Sequence, residues 1–133
     1  RSRGLGDVYK RQPANNALYD KKGKDTFVHE QNLIISENKV VVIMGCGHSG
    51  VVNIMEEAEK YQPHFCIGGF HLFNPLTKKT VSKELLNSIA MELQKYKDIE
   101  FYTCHCTGEK AYHYLSQQMD NMNYMSCGDV IEI

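Results

Sequence analysis

Several features that would favour other protein classes are missing from this chain of 133 residues. No apolar stretch approaches the roughly 20 residues of a membrane-spanning helix, and the N-terminal residues lack the apolar core and cleavage site of a signal peptide. The net charge is only -1, which gives no electrostatic basis for binding nucleic acid or an anionic membrane surface. We therefore expect a cytoplasmic protein that binds neither nucleic acid nor membrane.

The cysteines lack the pattern of a disulfide framework or a zinc knuckle. There are five, an odd number, and no C-x-x-C pair occurs. Most of them lie in or beside predicted strands, so we interpret them as reduced thiols that pack as small apolar groups. A hydrophobic fraction of 42% and a charged fraction of 23% are typical of one globular domain or part of a larger one.

The first 24 residues carry no motif. Residues 1–12 are basic and aperiodic, and we expect them to be a non-native scar. Residues 13–24 are a polar, irregular lead-in. We therefore expect the native sequence in this chain to be truncated at its start.

From residue 27 onward, strand-like and helix-like patterns alternate. Phe27–Ser36 and Lys39–Met44 are β-branched runs at the spacing of a tight hairpin, and the second run is apolar on both faces, as in an internal strand. The segments that follow are a helix from Ser49, a strand at His64–Ile67, a helix at about Val81–Tyr96, a strand at Ile99–Cys104, a helix N-capped by Thr107, and short strands at Asn123–Ser126 and Asp129–Ile133. This alternation predicts an α/β layer with crossover connections.

Three histidines follow strands of this layer by one to four residues: His48, His71 and His105. Because ligands of such sheets bind beyond the carboxyl edge of the parallel strands, the three side chains should converge there. Histidine is the commonest metal ligand, and a catalytic zinc ion takes about three protein ligands and a water. We interpret the three as a metal site. The remaining histidines lack this placement and are interpreted as structural or solvated: His29, His64 and His113.

The glycine-rich corner Gly45–Gly50 also permits other interpretations. Its residue sequence fits the G-x-G-x-x-G dinucleotide-binding fingerprint, but the acidic residue expected at the end of the next strand is missing. The G-x-S-x-G pattern of a nucleophile elbow is not completed. The amides of Ser49, Gly50 and Val51 could bind an anionic group such as phosphate, or could simply be capped by Ser49.

Three separated motifs carry a family resemblance. GCGHSGVVNI (Gly45–Ile54), GGFHL (Gly68–Leu72) and HCTG (His105–Gly108) resemble motifs in the C-terminal half of metallo-β-lactamase-fold metallohydrolases. The subfamily is the one similar to dihydropterin ribofuranosyl-aminobenzene-phosphate synthases. Residues before the hairpin also resemble this family: Asp25, Phe27, Glu30 and Leu33. The resemblance implies that residues 25–133 form the C-terminal half of an αββα sandwich.

The resemblance also implies roles for the histidines. His48 would bind one metal ion and His105 the other, with zinc the first choice and manganese or iron as alternatives. His71 stands where many relatives place a bridging aspartate or cysteine, so it is the candidate catalytic residue, while ligation and substrate contact remain open. Ser49, Gly50 and Thr107 are the candidate substrate- or anion-binding residues. Metal-activated water, with its pKa lowered to about 7, would hydrolyse or transfer a group of a small-molecule substrate such as a phosphorylated one.

The principal ligand motif of the superfamily, H-x-H-x-D-H, is absent from the sequence. The resemblance therefore implies a fragment that is weakly active or inactive alone, with one apolar sheet face exposed. This leaves two alternatives to the truncated enzyme. One is a non-enzymatic half-domain that dimerises or aggregates through that face. The other is a nucleotide-binding module at Gly45–Gly50.

Overall fold

A computed structural model describes residues 19–20, 23–24, 27 and 29–133. The predicted scar and most of the lead-in lie outside the described residues. The strands are β1 Tyr19–Asp20, β2 Gly23–Lys24, β3 Asn32–Ser36, β4 Val40–Met44, β5 Phe65–Gly68, β6 Phe73–Asn74, β7 Lys79–Thr80, β8 Glu100–Thr103 and β9 Met122–Tyr124. The helices are α1 Val51–Ala58, α2 Lys83–Leu93 and α3 Glu109–Ser116, with short 3-10 turns at Glu59–Tyr61 and His105–Thr107. Within the described ranges, no helix is long and apolar enough to cross a membrane.

Five strands form one sheet in the order β3-β4-β5-β8-β9. The predicted hairpin is confirmed: β3 and β4 pair antiparallel, from Asn32 opposite Met44 to Ser36 opposite Val40. β3 begins later than the sequence pattern suggests. Phe27 has a φ of 56°, a left-handed conformation that strands do not accommodate.

The strands β4, β5, β8 and β9 run parallel, and the helices α1, α2 and α3 cross between them. Their carboxyl ends therefore share one edge, as predicted from the alternation of strands and helices. The prediction of a strand at Asp129–Ile133 is wrong, because these residues have no regular secondary structure. A turn at Ser126–Asp129 follows β9, and in it the Ser126 amide donates to Asp129 Oδ2 at 2.7 Å.

The helices bury one face of the sheet. Side chains in cross-strand register on this face are almost fully buried: Val42, Cys66, Phe101 and Met122. The helical pattern predicted at Val81–Tyr96 is confirmed for α2, and the Ser82 hydroxyl caps it by accepting from the Leu85 amide at 3.3 Å. Each large apolar side chain buried in this way contributes about 1.5–3 kcal/mol relative to its exposed state.

The opposite face, called here the outer face, leaves apolar surface uncovered by the described residues. On this face Leu33 lies opposite Ile43, and Ile43 lies opposite Ile67. Leu33 is 57% exposed, Ile35 39% and Ile43 36%. β4 is an internal strand as predicted, but only its inner face is completely covered.

Candidate functional site

The corners that follow β4 and β5 are in direct backbone contact. The Gly69 amide donates to the Gly45 carbonyl at 2.8 Å. Gly47 has a φ of 62°, and a Cβ there would lie 2.7 Å from the Gly69 carbonyl oxygen. Glycine is therefore required at position 47, because only a residue without a side chain permits this approach. The contact brings the two segments that carry His48 and His71 side by side.

His48 and His71 form a pair at the carboxyl edge of the sheet. Their ring centroids lie 4.0 Å apart with an interplanar angle of 43°. The His48 ring also stacks on Phe27, with centroids 5.0 Å apart and planes within 8° of parallel. Phe27 is itself almost completely buried. The His48 imidazole thus contacts both an apolar ring and a second imidazole.

His71 is in an unusual state for a half-buried histidine. Its Nδ1 is buried and has no hydrogen-bond partner among the described residues. Burial lowers the pKa of the imidazole, the neighbouring His48 lowers it further, and Glu30 partly opposes both. A neutral imidazole with an unsatisfied buried nitrogen is chemically suited to completion by a metal ion, and leaving such a group unpaired costs about 1–3 kcal/mol.

Glu30 fixes the backbone beneath this pair. One carboxylate oxygen accepts from the His48 amide at 2.6 Å, and the other accepts from the Ser49 amide at 2.8 Å. The Gly50 amide donates to the Gly47 carbonyl. Protein oxygens thus already accept from the Ser49 and Gly50 amides, and the anion-binding role of these two residues stays a prediction. The same bonds disfavour the nucleotide alternative, which needs free amides at this corner.

Thr107 does not cap α3 as predicted, and it joins two corners of the site by hydrogen bonds, while its anion-binding role stays a prediction. The N-cap of α3 is Gly108, and Thr107 is completely buried. Its hydroxyl accepts from the Phe70 amide at 2.9 Å and forms a short hydrogen bond with the Thr103 hydroxyl. Because both partners belong to the protein interior, Thr107 ties the corner after β8 to the corner after β5.

His105 does not join the imidazole pair in this arrangement. It is exposed and opens the 3-10 turn after β8, with a φ of 50°. Among the described residues, no group of three or more histidine, cysteine, aspartate or glutamate side chains is arranged to hold a metal ion. The structure thus brings together two of the three predicted histidines, and ligation by His105 stays a prediction.

Backbone strain is concentrated around this edge. In the described part of the chain, five residues other than glycine have positive φ, and three of them belong to the site or its sequence motifs: Phe27, His71 and His105. Such conformations cost about 1–3 kcal/mol each and persist where the surroundings enforce them, often at functional sites.

The other histidines and the cysteines have structural environments. His64 accepts a hydrogen bond from the Val40 amide at Nδ1, 3.2 Å away, and His113 is exposed on α3. Cys106 donates to the Cys46 carbonyl at 3.5 Å, and burial and the adjacent Cys46 raise the pKa of its thiol to about 12. All five cysteines are free thiols; four of them are buried or half-buried, and Cys127 is exposed.

Comparison with known proteins identifies relatives that extend beyond this chain. No family model matches the sequence. The chain is 38% identical over 96 residues to an uncharacterized protein of Methanocaldococcus jannaschii, covering 71% of this chain and 34% of the relative. It is 26% identical over 104 residues to the 7,8-dihydropterin-6-methyl-4-(β-D-ribofuranosyl)-aminobenzene-5'-phosphate synthase of the same organism, covering 74% of this chain and 33% of that enzyme. The chain spans about a third of the length of these curated relatives.

The fold also matches a solved structure. The crystal structure of Tm1679, a metal-dependent hydrolase of the β-lactamase superfamily, superposes with a TM-score of 0.57 and 29% sequence identity. The match covers 73% of this chain and 37% of Tm1679. The sheet with its three crossover helices therefore has the metallo-β-lactamase-type fold, and the chain is similar to members of this superfamily in sequence as well as in structure.

Proposed function

We propose that this chain carries part of the metal centre of a metal-dependent hydrolase or related transferase, with His48 and His71 as two of its ligands. The observation that carries the proposal is the imidazole pair at 4.0 Å, in which the buried Nδ1 of His71 has no hydrogen-bond partner among the residues that the structure describes. Lowering of the His71 pKa by burial favours the neutral form, which is the form that binds metal.

Two imidazoles are an incomplete coordination sphere. Zinc takes about four ligands, so the pair needs further ligands, and His105 is a candidate among the described residues. Zinc is the ion of first choice, while manganese and iron suit imidazole ligands as well. The chemistry that such an ion supplies is the activation of water for hydrolysis or transfer.

The surrounding residues preorganise the pair. Glu30 holds the backbone of His48 and Ser49 by accepting one charge-assisted hydrogen bond from each amide, and Phe27 stacks on the His48 ring. Thr107 fixes the amide of Phe70, the residue immediately before His71. Supporting contacts of this kind typically change metal affinity or activity by about 10–100-fold when they are removed.

The test is the affinity for Zn²⁺ of the wild-type chain and three single variants, measured by equilibrium dialysis with elemental analysis. His48→Ala and His71→Ala should each weaken zinc binding by at least about tenfold, because each removes one ligand. His113→Ala, on the exposed face of α3, is the matched control and should bind as the wild type does. Equal affinity in all four proteins would refute the proposal.

A second candidate function is association through the outer face. It is favoured by the exposed Leu33, Ile35 and Ile43, an apolar surface that a second copy of the chain could cover in a two-fold arrangement. The substitution Ile43→Lys should then convert a dimer to a monomer in sedimentation velocity experiments. A wild-type chain that sediments as a monomer at all concentrations would contradict this candidate.

A further inference from the structure

A cavity of about 220 Å³ adjoins the imidazole pair. It lies between the corner after β5, the β6–β7 hairpin and the start of α2. The described residues that line it are His71, Leu72, Phe73, Asn74, Lys79, Thr80, Val81 and Ser82. Since His71 also contacts His48, a molecule in this cavity would lie beside the proposed metal ligands.

The lining combines apolar surface with positive charge. Leu72, Phe73 and Val81 supply the apolar part, Lys79 supplies a basic side chain, and none of the eight lining residues is acidic. An oxyanion in this cavity would therefore meet an attractive charge and no lining carboxylate. The volume equals that of about seven water molecules at ~30 Å³ each. It suits one end of a substrate rather than a whole drug-sized ligand, which needs about 300–1,000 Å³.

The wall that carries Lys79 is held in place by the fold. In the hairpin, Asn74 pairs with Lys79, and the Asn74 side chain accepts from the Leu76 and Thr77 amides at 2.9 and 3.1 Å. At its base, a Cβ added to Gly108 would lie 2.6 Å from the Cβ of Phe73, so the hairpin packs directly on the corner after β8. A preformed wall of this kind reduces the entropy cost of binding.

We propose that this cavity binds the oxyanion end, phosphate or carboxylate, of a substrate with an apolar or aromatic body, and that Lys79 neutralises the bound charge. The assignment rests on the proposed function, because His71 is shared between the cavity and the metal pair. It names the substrate class that the site selects: small aryl or alkyl acids and their phosphate esters.

The test uses three probes with the ¹⁵N-labelled full chain: phenyl phosphate, benzoate and the uncharged benzyl alcohol. Phenyl phosphate or benzoate should shift the amide resonances of Leu72, Lys79 and Val81 in a saturable way, and the tighter of the two identifies the oxyanion. Lys79→Gln should weaken that binding about fivefold, as expected for one partly exposed ion pair. Lys78→Gln, the neighbouring lysine outside the lining, should leave the affinity within about twofold.

The opposite results would overturn the subsite. These are equal binding of benzyl alcohol, equal losses in the two lysine variants, or no saturation of the lining amides at concentrations on the order of 10 mM. Zinc affinity is measured in parallel on the same proteins. A chain that binds zinc through His48 but shows no phenyl phosphate or benzoate site refutes the subsite alone. A chain that binds either acid through Lys79 but binds no zinc refutes the metal centre and retains the oxyanion site.

Discussion

Glu30 provides a stringent test of how the site is held together. Its carboxylate accepts from the amides of His48 and Ser49 at 2.6 and 2.8 Å, from a position 18 and 19 residues earlier in the chain. The substitution Glu30→Gln preserves the size of the side chain but replaces one acceptor oxygen with an NH₂ donor. One backbone amide would then face another donor at the start of α1.

The magnitude follows from the loss of one charge-assisted hydrogen bond and the weakening of the other. A hydrogen bond to a charged group contributes about 1.5–3 kcal/mol, so Glu30→Gln should reduce the free energy of unfolding by about 2–3 kcal/mol. For a domain of this size, that loss corresponds to a decrease of roughly 10 °C in the melting temperature. Zinc affinity should fall as well, because the backbone of His48 loses its support.

The assay is urea denaturation followed by circular dichroism, together with thermal melting. Glu37→Gln is the matched control, since Glu37 lies in the exposed β3–β4 turn and should change stability by less than about 0.5 kcal/mol. A Glu30→Gln protein as stable as the Glu37→Gln protein would refute the assignment of Glu30 as the clamp of this corner.

Three further predictions concern the corners and the core. Gly68→Ala should lower the free energy of unfolding by about 3 kcal/mol in urea denaturation, because Gly68 has a φ of 151° and a Cβ there would overlap β4. The control Gly45→Ala should be nearly neutral, because a Cβ at Gly45 meets nothing within 4 Å. Thr107→Val should cost about 1–3 kcal/mol, since it leaves a buried amide without its acceptor, and an unchanged melting temperature would contradict this role. Burial raises the pKa of the Cys66 thiol to about 12, so iodoacetamide at pH 8 should alkylate the exposed Cys127 before Cys66. The two alkylation rates are measured by mass spectrometry, and equal rates would contradict the buried position of Cys66.

Much of the fold could be predicted from periodicity because the inner face of the sheet is made by strands with strong apolar patterns. The turn after Ser36 predicted the hairpin, and the alternation of strands and helices predicted that the carboxyl ends would share one edge. The pairing of His48 with His71 follows from that edge. The ends of elements were less predictable: Thr107 has the residue type of a helix cap, yet tertiary contacts bury its hydroxyl and leave Gly108 as the cap.

The contacts of Glu30 were missed, although the hairpin contained a signal for them. With Asn32 opposite Met44, the residues that precede β3 must run back beside the residues that follow β4. That register places Glu30 next to the glycine-rich corner, where a carboxylate can accept from free amides at the start of a helix. The stacking of Phe27 on His48 could not be predicted in this way, because it requires a left-handed backbone at Phe27 that no local pattern favours.

The most direct test of the central claim is zinc titration of the chain with ¹⁵N-labelled histidine, following the imidazole nitrogens by NMR. The account predicts that the ring signals of His48 and His71 change together with the same dependence on zinc concentration, because both rings bind one ion. The signals of His64, whose Nδ1 is bonded to the Val40 amide, should remain unchanged. Zinc-dependent changes confined to other histidines, with those of His48 and His71 unaffected, would contradict the account.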